Sequence, residues 1–200
     1  MSRVLLLLIL LAGCAGRPPP AERFHTLEPA LPAAQTDYEL RLSVQPVEAY
    51  GVYAERALLV RTADGALRQQ PYELWSEPPA LLIGEALQRL LRAALGDAQV
   101  HARATRSRPD LILRTRLRRL ELVLAPDGPQ AQLGLSVTLS EYDNEPLWVL
   151  EIDEQQRLSS TDAVAVATAQ AQLLERAAAA VIARLPDRLG ATASSPEAAP

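Results

Sequence analysis

Few side chains in this sequence have the chemistry to react. Cys14 is the single thiol of the 200 residues, so any thiolate, disulfide or covalent-attachment chemistry runs through it. The two histidines, His25 and His101, each stand apart from a Cys or a second His at ligand spacing. Zinc binding or nucleophile activation needs convergent ligands, or a base with its orienting group. Both histidines are therefore read as surface or strand-end residues. No glycine-rich phosphate-cradling loop follows a strand, which argues against nucleotide hydrolysis. No nucleophile–base pair can be named, so no catalytic residue, metal or cofactor is expected.

What precedes Cys14 gives it a role. Arg3 is followed by an unbroken apolar run, Val4–Ala12, and then by Gly13. A basic start, a short apolar stretch and small residues at the cut make a secretory signal peptide. The run falls short of the about 20 residues that a transmembrane helix needs. Leu11-Ala12-Gly13-Cys14 resembles the bacterial lipobox. That resemblance implies cleavage before Cys14, a thioether-linked diacylglyceryl group and an acylated, palmitate-type amino terminus. The plainer alternative is an ordinary signal peptide with a chance cysteine. Two or more acyl chains hold a protein firmly to a bilayer. The next residue is Ala15 rather than Asp, which resembles an outer-membrane address in enteric-type sorting.

The rest of the chain must present a domain from that anchor. The formal net charge is −4, and processing removes one basic residue, Arg3. A mildly acidic chain argues against a nucleic-acid partner. Every basic residue is Arg. With Cys14 acylated, no disulfide can form. One Phe and one Met leave the core to Leu, Val, Ile and Ala, with a few Tyr and Trp.

Four segments follow from composition: a signal peptide at 1–13, the lipidated cysteine with a proline-rich tether at 14–22, a single domain at 23–189, and a disordered tail at 190–200. Pro18-Pro19-Pro20 favours an extended conformation in the tether. Within the domain, Arg23–Leu27 reads as a short strand. Tyr38–Val44 alternates, with Tyr38, Leu40, Leu42 and Val44 on one face. Ala57–Thr62 and Leu67–Trp75 flank an Asp64-Gly65 turn, and Pro71 points to an edge or a bulge. A proline-started helix runs from Ala80 to Leu95, burying Ile83, Leu87, Leu90 and Ala94 and stopping at Gly96. Val100–Arg103 reads as a short strand. In Asp110–Leu124 the apolar parity switches between Leu117 and Leu120, which predicts a β-bulge near Arg118-Arg119 with Leu113 and Leu122 on one face. Ala131–Ser140 alternates cleanly, and the mostly apolar Pro146–Ile152 reads as a more buried strand. Ser159–Asp162 supplies helix caps. The helix beyond runs to about Leu185 with a buried stripe of Val164, Thr168, Ala171, Leu174, Ala178, Val181, Ile182 and Leu185.

The expected fold is α/β of the mixed α+β type. It has a mostly antiparallel mixed sheet of about six to seven strands, with two amphipathic helices packed on one face.

Two stretches stand out as surfaces. Arg103, Arg106, Arg108, Arg114, Arg116, Arg118 and Arg119 form a basic run. It reads either as a patch for anionic head groups or an acidic partner, or as the solvated face of a strand, and the solvated face is favoured. Tyr72, Glu73, Trp75, Glu77, Pro78 and Pro79 form an aromatic–proline corner. The ring of Trp75 is expected in the core, and Glu73 and Glu77 are expected to be exposed beside a partner-binding surface.

The order of these pieces is a lipobox, Arg23–Leu27, Ala57–Arg61, the Tyr72-x-x-Trp75-x-x-Pro78-Pro79 segment and a Leu-rich helix. It resembles the auxiliary lipoproteins of ABC-type transport systems, the PqiC-like family, over roughly residues 14–187 and best over 57–95. The resemblance implies a non-enzymatic lipoprotein of the outer membrane, facing the periplasm and anchored through Cys14. It implies an MCE-domain protein and an ABC permease and ATPase as partners, in lipid or hydrophobic-solute traffic between membranes. The domain would bind the MCE-type partner or form a ring of its own copies that receives it. The alternatives are a structural or envelope-assembly lipoprotein without a transport role and, less favoured, a periplasmic hydrolase.

Overall fold

The computed structural model describes residues 20–33, 40–96, 100–101, 108–142 and 145–185. The signal peptide, Cys14, Tyr38, Arg103, Arg106, Pro186 and the 190–200 tail lie outside the described residues.

The sheet is organised around one long strand. In chain order its strands are β1 (Arg23–His25), β2 (Leu42–Val44), β3 (Glu48–Ala49), β4 (Ala57–Arg61), β5 (Leu67–Trp75), β6 (Val100–His101), β7 (Leu111–Ala125), β8 (Gly128–Glu141) and β9 (Pro146–Arg157). Helix α1 (Pro79–Leu95) lies between β5 and β6, and α2 (Ala163–Ile182) follows β9. One side of β7 pairs with β8, which pairs with β9, both antiparallel. Its other side takes β2, β3 and β4 in turn, all parallel. Beyond β4 come β5, antiparallel, and β1, parallel to β5. The sheet curls into a half-barrel, with both helices on one face.

The mixed α/β class is as the sequence implies, and the longest ladders are antiparallel. The strand count is nine. The strand without a counterpart in the sequence is β3, two residues long and paired across a wide chain separation, so no local alternation marks it. Of the described residues of Tyr38–Val44, Leu42–Val44 join the sheet, and Leu40 precedes them buried.

Register follows from the side chains. The β7–β8 ladder shifts between Leu117 and Arg119, at the expected bulge. Leu111, Leu113 and Leu117 before it, and Leu120 and Leu122 after it, are all buried beneath the helices. Opposite the bulge, a Cβ on Gly134 would stand 3.1 Å from both Arg119 Cβ and Asp153 Oδ1, a tight approach at which the neighbours would have to give by a few tenths of an ångström. A second irregularity lets Ala57 pair with Leu74 while Leu59 pairs with Gln69, which bulges β5 around Pro71.

Helix α1 starts with Pro79 in its first turn and ends at Gly96, whose φ of 93° suits a residue without a Cβ. Ile83, Leu87, Leu90 and Ala94 are buried as expected. Full burial of each such Leu or Ile is worth about 1.5–3 kcal/mol. Asp162 caps α2, its carboxylate accepting from the Val164 and Ala165 amides at 3.0 and 3.4 Å.

Two expectations are corrected. The α2 stripe is buried at Ala171, Leu174, Ala178 and Val181, but Val164 and Thr168 are exposed, and Val166, Ala167 and Gln170 are buried instead. An alanine-rich helix gives little apolar contrast, so the phase at its amino end is poorly marked. The Pro146–Ile152 segment is an edge strand rather than a more buried one. Ile152 alone of β9 is buried, because β9 pairs on one side only and α2 covers it partly.

Candidate functional site

The aromatic–proline corner is where β5 turns into α1. Trp75 is 2% exposed and belongs to the core, as expected for the end of a strand that leads straight into a packed helix. Its amide donates to the Arg56 carbonyl at 2.6 Å. The Arg56 guanidinium returns two bonds, to the carbonyls of Trp75 at 3.0 Å and Ser76 at 2.7 Å. The Ser76 amide donates to the His25 carbonyl at 2.8 Å, which ties β1 to the same turn. Pro79 is buried at the start of α1, Tyr72 and Pro78 are half-buried, and Glu77 is exposed.

Glu73 and His25 depart from the sequence reading. Glu73 is half-buried rather than exposed, and it holds two partners on β1. Arg23 donates to Glu73 Oε1 through Nε at 2.8 Å and also through Nη2. His25 Nε2 lies 2.7 Å from Glu73 Oε2. His25 is only 8% exposed, so it is a buried, partnered residue at a strand end rather than a surface one. The parallel register places Arg23 opposite Glu73 and His25 opposite Trp75, which focuses both side chains on one carboxylate. Hydrogen bonding from Arg23 is the main cause that holds the Glu73 carboxyl below its ordinary range, against the opposing effect of desolvation, with His25 adding to the lowering. Sequence reasoning missed this clamp because parallel pairing over about fifty residues leaves no local signal.

Beside the corner, an open groove of about 480 Å³ runs along α1. Glu28, Glu77 and Glu85 line it together with Arg89 and Arg92.

The basic run divides. Arg118 reaches Glu151 and Asp153 at 2.8 and 2.9 Å, across the meander on the face away from the helices. Arg61 grips the buried Glu121 through Nε and Nη2 at 2.8 and 2.9 Å, and Tyr53 donates to the same carboxylate at 3.0 Å. Arg116 stacks over Tyr50, and Arg108 over Tyr142. The run is thus largely a paired, solvated sheet face. Among the described residues, no cluster of three His, Cys, Asp or Glu side chains is placed to hold a metal ion, and no helix is long and apolar enough to cross a membrane.

The architecture is a curled mixed sheet with two helices on one face, and solved structures share it. The crystal structure of protein XCC0632 from Xanthomonas campestris, assigned to DUF330, matches with a TM-score of 0.69 at 22% identity, over 80% of this chain and 92% of that one. The crystal structure of an uncharacterized protein matches at 0.68 and 13% identity, over 84% of this chain and all of that one. No curated protein matches the chain. The family model for the ABC-type transport auxiliary lipoprotein component matches residues 25–182. The chain belongs to that family, a family of membrane-anchored envelope lipoproteins and not a known enzyme family.

Proposed function

We propose that this chain is a non-enzymatic outer-membrane lipoprotein, anchored through Cys14 and facing the periplasm. It serves an ABC/MCE-type system that moves lipid or hydrophobic solute between membranes. The observation that carries the reading is the family match across nearly the whole folded domain. Ala15 after the cysteine supports the outer-membrane address, and the Leu11–Cys14 box supports acylation.

The domain binds its MCE-domain partner beside the Tyr72–Pro79 corner. Trp75, Pro79 and Glu73 hold the corner rigid from inside, while Tyr72, Glu77 and Pro78 present its surface next to the α1 groove. A rigid corner loses little entropy when it is docked.

Two measurements test these statements. Metabolic labelling with a fatty-acid analogue followed by membrane fractionation should place label and protein in the outer membrane, and Cys14→Ser should abolish both; equal labelling of the mutant rules out the anchor. Glu77→Arg should leave melting nearly unchanged yet reduce recovery of the MCE-domain protein several-fold. Undiminished recovery would move the docking surface away from this corner.

A further inference from the structure

Along the edge of α2 that faces the segment after β1, Val164, Thr168 and Ala179 are exposed and Ile182 is half-buried, while Ala171 and Ala178 beside them belong to the core. Val164, Thr168 and Ala171 line an open groove of about 360 Å³ with Phe24. Ala178, Ala179 and Ile182 line the next groove along the same helix, about 270 Å³, with Leu31. From Val164 to Ile182 the two grooves span about 27 Å at 1.5 Å per residue, with Glu28 lining the first and Glu175 the second. Phe24, Leu31 and Val164 are 54%, 57% and 58% exposed, so three large apolar side chains stand in solvent along one side of the molecule. The segment bearing Phe24 and Leu31 is fixed there. The Ala30 amide donates to Glu175 Oε1 at 2.6 Å, and Arg89 donates to the Leu27 carbonyl at 3.3 Å.

The chain itself says what covers these side chains. Eight residues lie between Cys14 and Arg23, and the nine Cα-to-Cα steps this makes span at most about 30 Å. The strand at which that tether joins the domain is the one carrying Phe24. An acylated Cys14 therefore keeps this end of the molecule within a tether's length of the bilayer. Cationic groups border the exposed ring. The Arg56 guanidinium lies 5.3 Å from the Phe24 ring centre, and Arg23 on the same strand is 59% exposed while its guanidinium is paired with Glu73. Apolar side chains flanked by guanidinium groups suit the head-group boundary of a membrane.

We infer that the Phe24–Leu31–Val164 stripe is a membrane-contact surface on which the anchored domain lies against the lipid leaflet. The inference rests on the acylation of Cys14 proposed above. It fixes the domain's orientation, with α2 and β1 towards lipid and the β7–β9 outer face towards the periplasm.

The test uses the processed lipoprotein in vesicles of phosphatidylethanolamine and phosphatidylglycerol. With Cys14 acylated, a single introduced cysteine takes up a spin label alone. Phe24→Cys, Leu31→Cys and Val164→Cys are compared with Val149→Cys, which is equally exposed on the outer face of β9. Contact with lipid predicts several-fold fewer collisions with a water-soluble nickel chelate and more with oxygen at the first three positions only. Aqueous behaviour at all four positions in floated vesicles overturns the inference and leaves the anchor standing. Loss of collisions with both reagents means that protein, such as a second copy, covers the stripe, and this also overturns it. A chain that fails to float with the vesicles overturns the anchor and the inference together.

Discussion

Glu73 and Trp75 sit two residues apart and hold the corner in different ways. Trp75 fills core volume, and truncation of a buried aromatic costs about 3–5 kcal/mol. Trp75→Ala should therefore lower the urea midpoint sharply, and a midpoint within error of wild type would place the ring outside the core. Glu73 acts through charge. Its carboxyl is held below the ordinary range by Arg23 and His25. A group whose native pKa is depressed contributes stability that is complete above its unfolded pKa and lost as pH falls through the native one. Wild type should accordingly lose melting temperature on acidification through that window, and Glu73→Gln should start lower and lose less. Parallel slopes for the two proteins would show that the clamp adds nothing. The sequence made Trp75 legible as core through its size and its place before a proline-started helix. It left Glu73 misread as exposed because its partners lie on β1, far along the chain.

Elements show the same division between local and distant information. The bulge in β7 was readable because a strand keeps one parity per face, and Leu117 and Leu120 break that parity within one apolar run. The bulge brings Arg119 against Gly134 on β8, where the neighbour is a Cβ close to the backbone and has little room to move. Gly134→Ala should destabilise by about 1–3 kcal/mol, seen as a reduced urea midpoint with an unchanged slope. A neutral result would mean that the two strands separate freely at the bulge. Helix α1 was legible from its leucine spacing and its proline and glycine ends. The amino half of α2 was not, because alanine on every side hides the direction of burial. β2 and β6 read in the sequence as strands with wider bounds, β3 is too short to show a pattern, and the parallel pairing of all three is set by tertiary packing.

At the scale of the whole molecule, the proposed acylation of Cys14, the half-barrel and the proposed Phe24–Leu31–Val164 surface combine into a domain laid on a membrane with its corner free for a partner. The proposed anchor rests on fourteen residues, since a lipobox carries its chemistry in its own sequence. Which residues of the Tyr72–Pro79 corner are exposed was less legible, since exposure depends on which side chains the fold recruits. The central claim is that this domain is an auxiliary part of an ABC/MCE transport assembly. It is tested most directly by native purification of the tagged, acylated lipoprotein from cell envelopes that express the candidate partners. The account predicts recovery of an MCE-domain protein with its ABC permease and ATPase, and loss of that recovery for Cys14→Ser. Recovery of the acylated lipoprotein alone, from envelopes in which those partners are present and intact, would contradict it.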